Sequence, residues 1–146
     1  MIVPAYTVLL VDDYARIRQL YRMALRDEPR LRVVDEAADG QEAVQKARDL
    51  QPDLVVLDLS MPRMDGLEAL QGIKRVSPGS RVVVLSGFMR ERVAQVVHDL
   101  GANAYVEKGL AARALAQTLL PVAAQAPLAP QPVTKNDLEQ RVAELV

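Results

Sequence analysis

Acidic, hydroxyl and basic residues follow directly after three short apolar segments of this chain and after a fourth short segment. The segments and the polar residues at their ends are Thr7–Val11 with Asp12 and Asp13, Leu54–Leu57 with Asp58, Val82–Leu85 with Ser86, and Ala104–Glu107 with Lys108. If the segments are parallel strands, their carboxyl ends open onto one edge of the sheet, where α/β folds bind ligands. We therefore expect three carboxylates, a hydroxyl and an ammonium at one place, a set suited to a divalent cation and a phosphoryl group.

The three carboxylates would carry most of that chemistry. Like charges about 5 Å apart repel by roughly 3 kcal/mol at an effective dielectric constant near 20. A hard cation with oxygen ligands offsets this repulsion, and Mg²⁺ fits because it combines one or two carboxylates with waters and phosphate oxygens. Asp12 and Asp13 also have a simpler interpretation as residues that cap the following helix.

Asp58 follows the middle apolar segment, where a carboxylate can act as a nucleophile and form an aspartyl phosphate. Phosphoryl transfer depends mainly on positioning and charge neutralisation. Lys108 would supply a neutralising charge, and Ser86 a hydroxyl donor to a phosphoryl oxygen. Taken singly, Ser86 and Lys108 are more typical of ordinary loop residues.

The overall composition restricts the classes of function. The chain has 146 residues, half of them hydrophobic and a quarter charged, which suits one domain with an appendage. A net charge of −1 favours neither nucleic acid nor membrane as a partner. The absence of cysteine and the single histidine exclude disulfides and thiolate or histidine-rich zinc sites. Lacking a membrane-length apolar run and a signal peptide, the chain is expected in the cytoplasm.

Apolar segments alternate with stretches of helical periodicity, which predicts an α/β fold with a doubly wound, five-stranded parallel sheet and helices on both faces. The predicted strands are Thr7–Val11, Leu31–Val34, Leu54–Leu57, Val82–Leu85 and Ala104–Glu107. The predicted helices span Asp13–Arg26, the stripe from Ala43 to Leu50, a segment opened by Gly66, the stripe from Val93 to Leu100, and Leu110–Leu120.

The composition changes after residue 120. Residues 121–133 are rich in proline and alanine, which predicts a linker between a domain of residues 1–120 and a short helix of residues 134–146. In that helix Leu138, Val142 and Leu145 are spaced as in a fragment of a heptad, and Thr134 with Asp137 forms a loose capping box. The helix could begin a coiled coil or an output region, or it could be a short docking tail.

The motifs together resemble the receiver domain of bacterial two-component response regulators, and they are chemotaxis-regulator-like. The resemblance covers residues 6–120 and rests on the segments Val8–Asp13, Leu57–Gly66, Val84–Gly87 and Ala102–Lys108. It implies the flavodoxin-like strand order 2-1-3-4-5.

The resemblance also implies a role for each residue of the predicted site. These roles are phosphoacceptor for Asp58, direct Mg²⁺ ligation for Asp13, Asp58 and the backbone carbonyl of Ser60, ligation through a water for Asp12, a phosphoryl contact for Lys108, and a conformational switch for Ser86 and Tyr105. The implied partners are a sensor histidine kinase or phosphotransfer protein and a downstream protein or output domain. A homodimer, through the C-terminal helix or the last helix of the domain, is a further alternative.

Two other functions compete with this interpretation. One is a magnesium-dependent phosphatase with an aspartate nucleophile, although such enzymes usually have a second acid two residues after the nucleophile, where this chain has Ser60. The other is a degenerate receiver that only binds partners. In the favoured interpretation the chain is a phosphoacceptor signalling domain, which catalyses only its own phosphorylation and dephosphorylation.

Overall fold

The computed structural model describes residues 4–60, 66–87 and 91–143, apart from the side chains of residues 110–113. Within these parts, strands and helices alternate along the chain, as predicted. Their bounds are β1 Tyr6–Val11, α1 Ala15–Leu25, β2 Leu31–Ala37, α2 Gly40–Leu50, β3 Leu54–Asp58, α3 Gly66–Val76, β4 Arg81–Ser86, α4 Glu91–Asp99, β5 Ala104–Glu107, α5 Lys108–Ala123 and α6 Lys135–Ala143. Among the described residues, none of the helices is both long and apolar enough to cross a lipid bilayer.

The five strands form one parallel sheet in the order β2-β1-β3-β4-β5. This confirms the α/β class and the flavodoxin-like order. All five residues of the central strand β3 are buried. A strand covered on both faces needs a continuous apolar run, which explains why the Leu54–Leu57 segment lacks the polar alternation of a half-exposed strand.

Successive strand residues point to opposite faces, so the sheet separates two apolar cores. Leu9, Val55 and Val84 belong to the core that includes buried residues of α2, α3 and α4. Val8 and Val56 belong to the other core, which includes buried residues of α1 and α5. The two cores hold the strands in register, and so they hold the residues at the strand ends in fixed relative positions.

Strand β2 is longer than predicted: it runs to Ala37 instead of ending at Val34. The pairing with β1 shifts by one residue after Val8, so that Leu9 lies opposite Asp35. Asp35 and its neighbour Glu36 are held in the strand by ion pairs with basic residues of α1 and α2. The alternation of apolar residues could not predict this extension, because charged partners from the flanking helices stabilise it.

The last helix of the domain also exceeds its predicted end. The sequence predicts an end at Leu120, but α5 continues through Pro121 to Ala123. A proline so near the end of a helix removes only one backbone donor, and Val122 and Ala123 are buried against the domain. Helix α1 differs at the other end: it begins at Ala15, not at Asp13.

The chain beyond α5 returns along the domain surface. The side chain of Arg81 donates a hydrogen bond to the backbone carbonyl of Gln125, and α6 contributes Leu138 to the edge of the core beneath α2, α3 and α4. Arg141 of α6 pairs with Asp99 of α4 at 2.8 Å. Leu145, the last residue of the predicted heptad fragment, lies outside the described residues. The division into domain, linker and appended helix stays a prediction.

The predicted cap of α6 is present in part. The backbone N–H of Asp137 donates to the hydroxyl of Thr134 at 3.1 Å. This is the first half of a capping box, in which the N-cap oxygen accepts from the third helical residue.

Candidate functional site

Three aspartates lie together where β1 and β3 end. Val11 pairs with Leu57 in the sheet, so the residues that follow them, Asp12 and Asp58, are neighbours across the strand pair. Both residues are almost completely buried, at 1% exposure each, whereas Asp13 is half-buried. One carboxylate oxygen from each of the three lies within 4.8 Å of the others. This spacing matches carboxylates that share a cation.

Several of these oxygens lack hydrogen-bond donors. Within the described part of the chain, Oδ2 of Asp12, Oδ1 of Asp13 and Oδ2 of Asp58 are buried without a hydrogen-bond partner. Burying an unpaired carboxylate oxygen is costly, and a bound cation removes that cost. The donor set consists of hard oxygens with no nitrogen or sulfur, so the site fits Mg²⁺.

Lys108 places its ammonium group between two of the aspartates. It is the first residue of α5, directly after β5, and its Nζ lies 3.0 Å from Oδ1 of Asp58. The same Nζ lies 3.3 Å from Oδ2 of Asp12, an ion pair without hydrogen-bond geometry. The single positive charge therefore compensates only part of the negative charge of the cluster.

The electrostatics of the site follow from burial and this charge imbalance. Burial raises the pKa of Asp58 above its usual value, and the charge of Asp12 adds to the rise, while Lys108 and the backbone N–H of Ser60 act in the opposite direction. Burial alone lowers the pKa of Lys108, but the two aspartates outweigh it and raise that pKa. The same cluster affects Tyr21 on α1. Burial, with a contribution from the charge of Asp12, raises the pKa of Tyr21 to about 12.

The remaining predicted site residues lie around this centre. Ser60 is exposed, and its backbone N–H donates to Oδ1 of Asp58 at 3.1 Å. Ser86 is half-buried at the end of β4, next to the strand that carries Asp58. Tyr105 is half-buried in β5 and packs against the core beneath α4. Their proposed roles as ligand and switch remain predictions.

Gly66, at the start of α3, contacts the backbone of Leu59, the residue after Asp58, and the sequence pattern did not predict this contact. Its N–H donates to the carbonyl of Leu59 at 3.1 Å. A Cβ on Gly66 would lie 2.5 Å from the Cα of Leu59, closer than atoms can approach. The glycine therefore lets the first turn of α3 contact the backbone beside the central aspartate. The glycine that ends the Leu57–Gly66 motif could have indicated a close contact, but the motif does not show that the partner is Leu59.

Arg18 of α1 also contacts the acidic cluster, through the backbone of Asp12, and the sequence pattern did not identify it. Nη1 of Arg18 donates to the backbone carbonyl of Asp12 at 2.6 Å, and its Nε donates to Glu36 at 2.8 Å. The sequence feature that could have indicated this contact is the position of Arg18, one turn into the helix that follows the aspartates. Its partner on β2 lay beyond the predicted end of that strand.

Known proteins share both the sequence pattern and the fold. The sequence profile of the response regulator receiver domain matches residues 8–120. The response regulator protein VraR of Staphylococcus aureus is 36% identical over 112 residues, which cover 77% of this chain and 54% of VraR. The chain thus spans about half the length of the curated relatives it matches.

Solved structures agree. The response regulator domain of Thermotoga maritima CheB superposes with a TM-score of 0.77 at 29% identity, covering 84% of this chain and 99% of that one. A LuxR-family two-component response regulator from Aurantimonas sp. gives a TM-score of 0.78 at 31% identity, with 97% of each chain covered. With the profile match extending over most of its length, the chain belongs to the response regulator receiver domain family of two-component systems.

Proposed function

We propose that the chain is a phosphorylation-dependent switch that accepts a phosphoryl group on Asp58 from a sensor histidine kinase or a phosphotransfer protein. The observation that carries this proposal is the environment of Asp58. Asp58 ends the central strand and is 1% exposed, and its carboxylate pairs with Lys108 through Oδ1 and has an unpartnered Oδ2. A nucleophilic oxygen with no competing donor, beside a fixed positive charge, suits attack on phosphorus.

The transfer is a substitution at phosphorus. An oxygen of the Asp58 carboxylate forms the new P–O bond while the bond between phosphorus and the donor nitrogen breaks, and that nitrogen leaves with the bonding electron pair and takes up a proton. Lys108 stays within reach of the modified carboxyl and neutralises charge on the phosphoryl oxygens. The N–H of Ser60 fixes the orientation of the carboxylate.

Asp12, Asp13 and Asp58 would hold Mg²⁺, together with the backbone carbonyl of Ser60. When bound, the cation supplies neutralisation of the charge that develops on the transferred group. Asp12 is placed deeper than Asp13 and already accepts a hydrogen bond from the N–H of Tyr14 on Oδ1, which suits it to act through a bound water. Asp13, nearer the surface, is suited to direct ligation.

The signal would leave the site through Ser86 and Tyr105. A phosphoryl group adds a charge of about −1.5 to −2 and new hydrogen-bond acceptors, which the Ser86 hydroxyl and Lys108 would satisfy. Ser86 pairs with Glu107 in the sheet, and Tyr105 lies two residues before Glu107 on the same strand. A rearrangement of Ser86 would therefore take place beside the strand that carries Tyr105. A downstream protein or output domain would bind the altered face, and a homodimer and a cytoplasmic location belong to the same proposal.

Labelling of Asp58 tests the proposal. Acetyl phosphate with Mg²⁺ should add one phosphoryl group, read by intact-protein mass spectrometry, and excess EDTA should prevent it. Asp58→Asn should abolish the labelling, whereas Asp27→Asn, at an exposed position, should leave it unchanged. Labelling of the Asp58→Asn protein to the same extent would refute the assignment.

The same preparation separates the receiver from its rivals. A phosphatase would release phosphate continuously from a phosphomonoester such as p-nitrophenyl phosphate, whereas a receiver should give no such turnover. A degenerate receiver would show neither labelling by acetyl phosphate nor a change in the NMR spectrum on addition of beryllofluoride with Mg²⁺.

A further inference from the structure

Arg18 forms a bridge between the acidic corner and strand β2. Its guanidinium donates to the backbone carbonyl of Asp12 at 2.6 Å and to the carboxylate of Glu36 at 2.8 Å. The side chain is only 16% exposed, and that of Glu36 is 26% exposed. Two bonds from one planar group fix both its position and its orientation.

The backbone at Asp12 is thereby held from both sides. Its carbonyl accepts from Arg18, and its N–H donates to the carbonyl of Ala37 at 3.1 Å. Ala37 is adjacent to Glu36 in β2, so the same strand anchors both bonds. The carbonyl belongs to the peptide that joins Asp12 to Asp13, so holding it restrains the backbone from which both carboxylates extend.

Glu36 in turn is held by a second arginine. Arg22, one turn later on α1, donates to the other carboxylate oxygen of Glu36. Burial would raise the pKa of Glu36, but the hydrogen bonds from Arg22 and Arg18 outweigh it and lower that pKa, so the carboxylate is ionised at neutral pH. In the described part of the chain Arg22 has no hydrogen bond to Asp12.

We infer that Arg18, oriented by Glu36, is a positioning residue for the cation site, which preorganises the Asp12–Asp13 corner without touching the cation. The inference rests on the proposed function in that it takes the acidic cluster to bind Mg²⁺. Partners that orient metal ligands typically change metal affinity about 10- to 100-fold when removed. We expect the lower end of this range, because the contact is made to a backbone carbonyl.

Charge alone predicts the opposite change in Mg²⁺ affinity when Arg18 is removed. Arg18 is a cation near a cation site, so removing it would strengthen Mg²⁺ binding if electrostatics dominated. Arg22 provides the matched control, because it pairs with the same Glu36 carboxylate and lacks the contact with Asp12. The sign of the change in Arg18→Gln therefore separates positioning from charge, and Arg22→Gln controls for the loss of a partner of Glu36.

The test measures Mg²⁺ dissociation constants by NMR titration of the full chain, with the midpoint of urea unfolding as a check on folding. Arg18→Gln should weaken Mg²⁺ binding about 10-fold and Arg22→Gln less than 2-fold, and Arg18→Lys should recover part of the loss. With acetyl phosphate, Arg18→Gln should raise the Mg²⁺ concentration needed for half-maximal labelling and leave the rate at saturating Mg²⁺ unchanged.

Three outcomes would overturn the inference: tighter Mg²⁺ binding by Arg18→Gln, equal weakening in the two variants, or a loss of affinity that only follows a loss of stability. Failure of the proposed function would look different, because the unmodified chain itself would then bind no Mg²⁺ and accept no phosphoryl group.

Discussion

Replacing Asp58 with asparagine should stabilise the protein in the absence of divalent cations, although it removes the proposed phosphoacceptor. The change keeps the shape of the side chain and an oxygen that can accept from Ser60 and Lys108, but it removes a buried negative charge with an unpartnered oxygen. The magnitude follows from the opposing charges around the carboxylate.

Lys108 attracts Asp58 across 3.0 Å, which is about 5.5 kcal/mol at an effective dielectric constant near 20. Asp12 and Asp13 each present an oxygen within 4.8 Å, and each repels Asp58 by at least about 3.5 kcal/mol on the same basis. The two repulsions slightly exceed the attraction, and the desolvation of a side chain that is 2% exposed adds to the cost. We expect Asp58→Asn to gain about 1–2 kcal/mol, which for a chain of this size is roughly 3–6 °C in melting temperature.

The assay is urea unfolding followed by circular dichroism, in EDTA and in Mg²⁺. Binding to the folded state alone stabilises a protein by about 2.7 kcal/mol at 100 times the dissociation constant. Mg²⁺ should therefore stabilise the unmodified protein and reverse the order of the two stabilities. Asp27→Asn, the exposed control, should stay within about 0.5 kcal/mol in both buffers.

The advantage of Asp58→Asn should also depend on pH. The pKa of Asp58 is raised in the folded state, so the carboxyl favours folding when protonated, and this contribution is lost as the pH rises through the raised value. The difference between the two proteins should be small near pH 4 and grow toward neutrality. Equal or lower stability of Asp58→Asn in EDTA at neutral pH would refute the charge balance described above.

Three further changes test other parts of the structure. Gly66→Ala should lower stability by about 2 kcal/mol or more, because its Cβ would overlap backbone, whereas Gly79→Ala, which has open space, should cost less than about 0.5 kcal/mol in urea unfolding. Lys108→Met should destabilise the protein by about 3 kcal/mol in EDTA, and Mg²⁺ should restore much of that loss. Arg141→Gln should speed amide exchange across residues 135–143. It should change global stability by less than about 1 kcal/mol, because the ion pair between Arg141 and Asp99 is partly exposed. Unchanged exchange would show that this ion pair does not hold α6 against the domain.

The C-terminal contact should respond to pH as well. Burial would raise the pKa of Asp99, but hydrogen bonds from Arg141 and Gln95 outweigh it and lower that pKa. The contribution of this pair to stability is therefore present above the ordinary aspartate value and is lost as the pH falls through the lowered pKa. In the unmodified chain, the protection of the α6 amides, taken as the observed exchange rate relative to the intrinsic rate at the same pH, should fall at acidic pH, and in Arg141→Gln that fall should be smaller.

Much of the fold could be predicted from sequence because its signals are local. Continuous apolar runs marked the central strands, and helical stripes marked the elements between them. The resemblance supplied the strand order, which the sheet confirms. The errors lie at element ends, where Ala37 and Ala123 extend β2 and α5 through contacts with residues distant in sequence.

The candidate site divides in the same way. The sequence by itself determined which polar residues follow the strands, and a parallel sheet then requires Asp12, Asp58 and Lys108 to meet at one edge. Only the tertiary structure decided that Lys108 pairs with both aspartates and that Arg18 holds the carbonyl of Asp12. These contacts depend on side-chain direction and strand register across the sheet, which are fixed only when the two apolar cores pack.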